Sequence, residues 1–173
     1  MTTSRTHTDR AVALSDATLP DLPDAVSVPG YDRAALVPGI VHIGVGGFHR
    51  AHAAVYLDDL AQRGETDWGV VGIGLHRPEM SEVLAAQDRL YVVVERDAEG
   101  DSAQVIGVMV GYLFAPEDPE AVLAALSDER TRVVTLTITG SSYNIDPDSG
   151  EFEADVAEVA DLEDCGPPAG VFG

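Results

Sequence analysis

The stretch Gly39-Ile-Val-His-Ile-Gly-Val-Gly-Gly-Phe-His-Arg50 decides the fold of this chain. A short apolar run ends in glycines, as a buried parallel strand does where it enters a tight turn. A helix is predicted directly after it, over residues 50–63, because apolar side chains recur there at helical spacing and Gly64 is suited to end it. Strand, glycine turn and helix together indicate an α/β domain with a mostly parallel sheet.

Strands and helices continue to alternate along the chain. The pattern predicts strands over 68–75, 90–95 and 132–139, and helices over 78–87 and 119–127, the last beginning near Asp118. The segment from Leu90 to Phe114 departs from this alternation, because a second extended stretch at 104–114 follows the acidic turn of 97–101 with no helix between them. We expect a hairpin there, inserted into the sheet or at its edge. Residues 1–27 read as a polar leader and residues 28–173 as the folded domain.

The charge balance excludes one class of partner. The 173 residues carry 30 acidic and 10 basic side chains, for a net charge of -20, and every basic residue is an arginine. A polyanionic backbone would be repelled, so the composition argues against nucleic-acid binding. No stretch is long and apolar enough for a membrane span, and the polar N-terminus lacks a signal-peptide core. The lone Cys165 has no internal disulfide partner, and we expect a cytoplasmic protein.

The glycine turn has the chemistry of a phosphate loop. Gly44 suits a turn that is closed to residues with a side chain, and Gly46 lets the backbone approach a ligand closely. The free N–H groups and positive end of the following helix favour an anion, to which Arg50 adds a cation. His49 stands where the third glycine of a dinucleotide-binding turn is usual. The spacing alone is equally compatible with a flavin, methyl-donor or mononucleotide site, or with a turn that serves only packing.

The segment after the second strand normally separates NAD from NADP. An acid there accepts hydrogen bonds from the adenosine ribose, whereas an arginine admits a 2′-phosphate. Here the segment reads Gly74-Leu-His-Arg-Pro-Glu79, so both signs of charge occur together. The sequence leaves this choice open.

Other polar residues give weaker signals. His49 and His52 are three residues apart, but a catalytic zinc site needs at least three protein ligands, and no motif completes the set, so we predict no metal site. Thr135, Thr137 and Thr139 alternate along the last strand, where β-propensity explains them at least as well as contact with a cofactor.

Residues 39–52 closely resemble the N-terminal signature of the mannitol dehydrogenase family. The resemblance continues through residues 55–60, 68–75, 85–91, 105–107 and 136–152. It implies a Rossmann-like, doubly wound α/β domain, incomplete at its C-terminal end, that binds NAD, with NADP not excluded. It also implies hydride transfer between a polyol and a ketose, of the mannitol and fructose type. The cofactor-binding residues that the turn and the resemblance imply are Gly44, Val45, Gly46, Gly47, Phe48, His49, Arg50 and Thr139.

Three departures from the family pattern bear on activity. Ala53 replaces a usual glutamine, the loop over 76–79 is shorter, and Gly140-Ser-Ser142 replaces a Glu-Gly-Gly segment. Family chains are also much longer, and a helical second domain supplies the substrate pocket and the catalytic lysine. We therefore expect a truncated cofactor-binding fragment without a catalytic residue of its own. The alternatives are one chain of a split enzyme, a remnant that binds nothing, and a fragment of a sugar-acid (fructuronate) reductase. Uncovered apolar surface would then favour self-association.

Overall fold

The computed structural model describes residues 13–98, 100–137, 146 and 148–152. Contacts divide the chain into one unit over residues 1–137 and another over residues 138–173. The strands are β1 (Val26–Ser27), β2 (Ile40–Ile43), β3 (Val70–Gly74), β4 (Tyr91–Arg96), β5 (Asp101–Ile106), β6 (Met109–Phe114) and β7 (Val133–Leu136). The α-helices are α1 (Ala54–Gln62), α2 (Glu79–Ala86) and α3 (Pro119–Ser127).

The first unit is built on a parallel sheet of four strands, in the order β6-β3-β2-β7. The apolar run that ends in glycines forms β2, which lies inside this sheet, paired with β3 on one side and β7 on the other. Because a parallel neighbour requires a crossover, the chain passes through a helix after β2, β3 and β6. The predicted α/β class with a mostly parallel sheet is confirmed.

The core follows from the apolar runs in the sequence. Val41, Val70 and Ile73 are buried to within 1% of complete, as expected for central strands covered on both faces. On one face, Ile40 and Val70 pack with Ala54 of α1, and Val55 and Leu57 close over them. Burying each such aliphatic side chain contributes about 1.5–3 kcal/mol, which is what holds α1 on the sheet.

The segment 90–114 differs from the expectation of a hairpin in or beside the main sheet. β4 and β5 do form an antiparallel hairpin, but with β1 they make a separate three-stranded sheet in the order β1-β5-β4. The extended stretch predicted over 104–114 is therefore two strands in two sheets, divided at Gly107 and Val108.

Side chains cause the division at Gly107. Its N–H donates to the Asp58 carboxylate at 2.8 Å, and its carbonyl accepts from Arg33 Nε at 2.9 Å, so neither group joins a strand ladder. A side chain at this position would meet the Pro29 ring at 2.7 Å. The strand therefore breaks at a residue whose backbone N–H and carbonyl are both bound by side chains.

The described part of the proposed leader is structured. A 3-10 helix runs over Asp16–Asp21, and β1 pairs in parallel with β5 through Val26 and Ser27. Arg33 fixes this end of the chain by bonding the Asp16 carboxylate and the carbonyl of Asp88. The boundary drawn at residue 27 thus falls at the end of β1, while residues 1–12 lie outside the described residues.

The other predicted segments have clear local causes. Asp118 caps α3 by accepting from the N–H of Ala121 at 2.9 Å, and Pro119 occupies the first turn, where its missing N–H costs nothing. In the second unit, the Asp146 carboxylate accepts from the N–H groups of Asp148 and Ser149. Residues 153–173 lie outside the described residues.

Candidate functional site

The turn after β2 requires glycine at its first position. Gly44 has φ of +90°, and a Cβ there would lie 2.6 Å from the carbonyl oxygen of Thr137. Both the backbone conformation and the neighbouring strand therefore exclude a side chain. The N–H of Gly44 donates to the carbonyl of Ile73 at 2.9 Å, which anchors the turn between β2 and β3.

Beyond Gly44 the turn is open. Gly46, Gly47 and Phe48 are exposed, and a Cβ would meet nothing closer than 3.8 Å at Gly46 and nothing within 4 Å at Gly47. The first helical hydrogen bond runs from the N–H of Arg50 to the carbonyl of Gly46 at 3.1 Å. The N–H of Gly46 itself donates to the Gly44 carbonyl at 2.7 Å, so the donors left for an anion are those between Gly46 and Arg50, at the start of the helix. The space and the donors fit a dinucleotide pyrophosphate, and Val45, buried at 7%, holds the turn to the core.

The helix opens with a turn that the sequence did not predict. Residues His49–Ala53 form a π-helical turn, and α1 follows without a break at Ala54. Such wide turns are rare and occur most often at functional sites. The residue that takes the place of the third glycine, His49, is the buried member of this turn.

His49 lies beneath the turn, stacked on the strand. Its ring is 1% exposed and stacks on the ring of His42 with centroids 3.6 Å apart. His42 is held in turn by the hydroxyls of Thr135 at 2.8 Å and Thr137 at 3.1 Å. The two threonines therefore contact a histidine of the neighbouring strand.

Burial keeps this pair neutral. It lowers the pKa of His49 to about 4, with His42 and Arg50 adding repulsion, and it also lowers the pKa of His42. Among the described residues, neither ring nitrogen of His49 has a hydrogen-bond partner. A neutral ring is what allows two histidines to stack at this distance.

Arg50 is half-buried beside the turn. Its Nη1 donates to Met80 Sδ of α2 at 3.1 Å, and its backbone carbonyl accepts from the hydroxyl of Tyr91. Within the part of the chain that the structure describes, it forms no ion pair, although the chain carries 30 acidic residues. A thioether is a weak acceptor, so this guanidinium is available to an anionic ligand.

Tyr112 lies against the end of β3 and was not among the residues predicted from the sequence. It pairs with Gly72 across β6 and β3, and its ring covers the positions where Gly72 and Gly74 lack side chains. Its hydroxyl lies 2.0 Å from where a Cβ of Gly74 would be, at the last residue of β3. Glycines two apart on one face of a strand are a signal for such a bulky neighbour.

The remaining candidates are placed as follows. His52 is exposed in the π-helical turn, beside Phe48, and the described residues contain no group of three metal-ligating side chains. Thr139 and the Gly140-Ser-Ser142 segment lie outside the described residues. Among the helices that the structure describes, none has the length and apolar character to cross a membrane.

Known proteins resemble this chain in sequence and in structure. Residues 38–161 match the family model described as the mannitol dehydrogenase Rossmann domain. The chain is 49% identical over 153 residues to a mannitol 2-dehydrogenase of Cereibacter sphaeroides, covering 86% of this chain and 32% of the relative. A mannitol 2-dehydrogenase of Pyricularia oryzae is 43% identical over 155 residues, with 86% and 31% covered.

Solved structures agree with the sequence relatives. A ternary complex of Pseudomonas fluorescens mannitol 2-dehydrogenase with NAD and D-mannitol superposes with a TM-score of 0.83 at 38% identity, covering 92% of this chain and 33% of that one. A substrate-free D-sorbitol dehydrogenase gives a TM-score of 0.80 at 41% identity, covering 92% and 34%. The chain spans about a third of the length of these relatives. It belongs to the mannitol dehydrogenase family and has the Rossmann fold of that family's N-terminal domain.

Proposed function

We propose that this domain binds NAD at the turn Gly44–Arg50 and provides the cofactor half of a mannitol 2-dehydrogenase type of oxidoreductase. The single observation that carries the proposal is the open turn after β2. Gly44 has a φ of +90° and lies against the Thr137 carbonyl, where a side chain would clash, while a side chain at Gly46 or Gly47 would meet nothing closer than 3.8 Å, so the turn is open to a ligand. A relative of similar fold that was solved with NAD and D-mannitol supports the choice of ligand.

Each proposed contact has its own physical role. The pyrophosphate lies over Gly46 and Gly47 and accepts from the N–H groups at the helix end. Val45 and Phe48 flank it, and His49 supports the turn from below through its stack on His42. The guanidinium of Arg50 supplies positive charge at the same edge of the sheet. Thr139 is proposed to contact the cofactor because the sequence resemblance implies it.

The chemical step requires a group that accepts the hydroxyl proton of the polyol. NAD supplies the hydride acceptor, and an enzyme provides a general base within hydrogen-bond distance of the reacting hydroxyl. These 173 residues contain no lysine. The buried rings of His42 and His49 are stacked on each other. We therefore propose that the 173-residue chain binds the cofactor without turning over a polyol, and that substrate selection belongs to sequence that the relatives have beyond the matched region.

Titration of the chain with NADH, followed by calorimetry or by energy transfer from Trp68, tests the proposal directly. We expect saturable binding to one site, with no reduction of NAD when mannitol is added and no oxidation of NADH with fructose. No binding at millimolar NADH would refute cofactor binding and favour a remnant that binds nothing. Turnover of mannitol or fructose by the purified chain alone would refute the proposal that this chain does not catalyse the reaction by itself.

The alternative of a split enzyme predicts a different result. Turnover that appears only when a second, lysine-bearing chain is added would favour it. Turnover of fructuronate in preference to fructose in that mixture would favour the sugar-acid reductase reading. Self-association through apolar surface is a further proposal, and the exposed side chains of β7 (Val133, Val134 and Leu136) support it.

A further inference from the structure

The carboxyl end of β3 lacks the usual acid. In a Rossmann fold, the adenosine ribose lies at this end, and a carboxylate there accepts from its hydroxyls while repelling a 2′-phosphate. In this chain β3 ends at Gly74 and is followed by Leu75, His76, Arg77 and Pro78. The segment between β3 and α2 therefore carries no negative charge.

The hydroxyl of Tyr112 lies at the end of β3, where the acid is usual. The ring of Tyr112 lies across Gly72 and Gly74, and its hydroxyl is 2.0 Å from the position of a Gly74 Cβ. Any other residue at position 74 would displace this hydroxyl, so glycine and tyrosine fit together. Within the described residues the hydroxyl has no hydrogen-bond partner, and Tyr112 is half-buried, so its O–H is free to donate to a ligand.

A cation is linked to Tyr112 through Met80. Arg50 contacts Met80, and Met80 and Tyr112 pack against the same cluster of Val45, Leu84 and Met109. The positive charge of Arg50 also acts on the Tyr112 hydroxyl by lowering its pKa against the rise that burial causes. Guanidinium and hydroxyl thus lie at one edge of the sheet, which is the pairing that a phosphate monoester accepts.

Two acids adjoin these elements in the sequence. Glu79 is the first residue of α2, and Glu117 follows β6; both are exposed. Neither forms an ion pair with Arg50 among the residues that the structure describes. Within the described residues Arg50 is therefore not paired with either acid, and the connecting loop adds the exposed His76 and Arg77.

We propose that Arg50 and Tyr112 form a subsite for the 2′ position of the adenosine ribose, and that this domain binds NADPH about as tightly as NADH. The proposal rests on the proposed function, because it concerns the adenosine end of the same cofactor. The guanidinium pairs with a 2′-phosphate, and the tyrosine hydroxyl donates to the phosphate or to the free 2′-hydroxyl. Both forms of the cofactor then find a donor at this position.

Calorimetric titration of the 173-residue chain with NADH and with NADPH tests the proposal. We expect dissociation constants within about tenfold of each other, since no desolvated carboxylate opposes the phosphate. NADH binding with NADPH weaker by more than about 100-fold would overturn this proposal alone. No binding of either cofactor would overturn the proposed function and this proposal with it.

Two variants identify the responsible residues through the ratio of the two affinities. Arg50→Met keeps the aliphatic stem and removes the charge, and we expect NADPH to lose about 10-fold to 100-fold more affinity than NADH. Tyr112→Phe keeps the ring over Gly72 and Gly74, and we expect a change in the ratio of about 3-fold to 10-fold. Tyr56→Phe, at a 70% exposed position on α1, is the matched control and leaves the ratio unchanged. An unchanged ratio in both variants, with circular dichroism like that of the wild type, would overturn the assignment.

Discussion

The rings of His42 and His49 stack with centroids 3.6 Å apart and planes inclined by 14°. This contact joins β2 to the turn that opens the first helix, at the position where a third glycine normally brings helix and strand together. A histidine is far larger than glycine, and the chain accommodates it in a widened π-helical turn over His49–Ala53. The stack thus takes over the packing role of the missing glycine.

Stability is expected to fall as the pH drops below 6.5, through His49. Its pKa is 6.5 when exposed and about 4 in the folded protein, so the unfolded chain binds the proton first. The contribution of His49 is complete above pH 6.5 and is lost as the pH falls toward 4. Between pH 7.5 and 5 this costs about 2 kcal/mol in the free energy of unfolding, measured with urea.

The variant His49→Phe isolates this contribution. Phenylalanine keeps a ring on His42 but does not titrate, so the curve of stability against pH should flatten relative to the wild type. The lowered pKa of His42 gives a slope of the same sign, and the raised pKa of Asp58 gives the opposite sign, but both remain in the variant. His52→Gln, at an exposed position, is the control and should keep the wild-type dependence of stability on pH. The same dependence in His49→Phe and in the wild type would show that the stack is not its cause.

A side chain at Gly46 is expected to block the cofactor without harming the fold. In the free protein a Cβ there meets only the Gly44 carbonyl, at 3.8 Å. Gly46→Val should therefore change stability by less than about 1 kcal/mol while weakening NADH binding by about 100-fold or more. Gly111→Ala is the control, because its Cβ would make ordinary contacts of 3.5 Å with Val71, away from the turn. Undiminished NADH affinity in Gly46→Val would place the cofactor elsewhere.

Removing the Asp58 carboxylate is expected to destabilise the first unit strongly. Asp58 is fully buried and accepts from the Tyr31 hydroxyl, the N–H of Gly107 and the side chain of Gln104. Asp58→Ala leaves these donors without a partner, so we expect a loss of about 3 kcal/mol in urea unfolding. Tyr31→Phe should cost about 1 kcal/mol, since only one bond is lost. The neighbouring Asp59→Ala serves as control, and an equal loss there would contradict the role of burial.

The exposed face of β7 is expected to drive self-association. Val133, Val134 and Leu136 are each at least 40% exposed at the edge of the four-stranded sheet. An edge strand with exposed apolar side chains favours pairing with a second copy. Val134→Arg should shift sedimentation toward monomer, whereas Leu123→Arg, at a 64% exposed position on α3, should not. A monomeric wild type at high concentration would refute the expectation.

The long-range pairing of strands was only partly predictable. The pattern identified every strand of the main sheet, because a buried parallel strand reads as an apolar run between turns. It did not reveal that residues 104–114 divide between two sheets. That division depends on Asp58 and Arg33, which lie 49 and 74 residues from Gly107 along the chain.

The residues of the candidate site could also be predicted only in part from the sequence. Sequence identified the glycine turn and Arg50, whereas Tyr112 escaped notice because its partner glycines are on another strand. The expectations of no metal site and of a cytoplasmic location stay predictions. Thr139 likewise stays a predicted contact, since it lies outside the described residues.

By itself, the sequence determined the features that depend on neighbouring residues. The φ of +90° at Gly44 and the cap of α3 by Asp118 and Pro119 follow from the conformations that these residues allow. Only the tertiary structure decided which distant side chains meet: His49 on His42, and Tyr112 over Gly74. Local backbone preferences are properties of a few adjacent residues, whereas these contacts arise from packing helix and strands around one core, where each side chain fills the space that its neighbours leave.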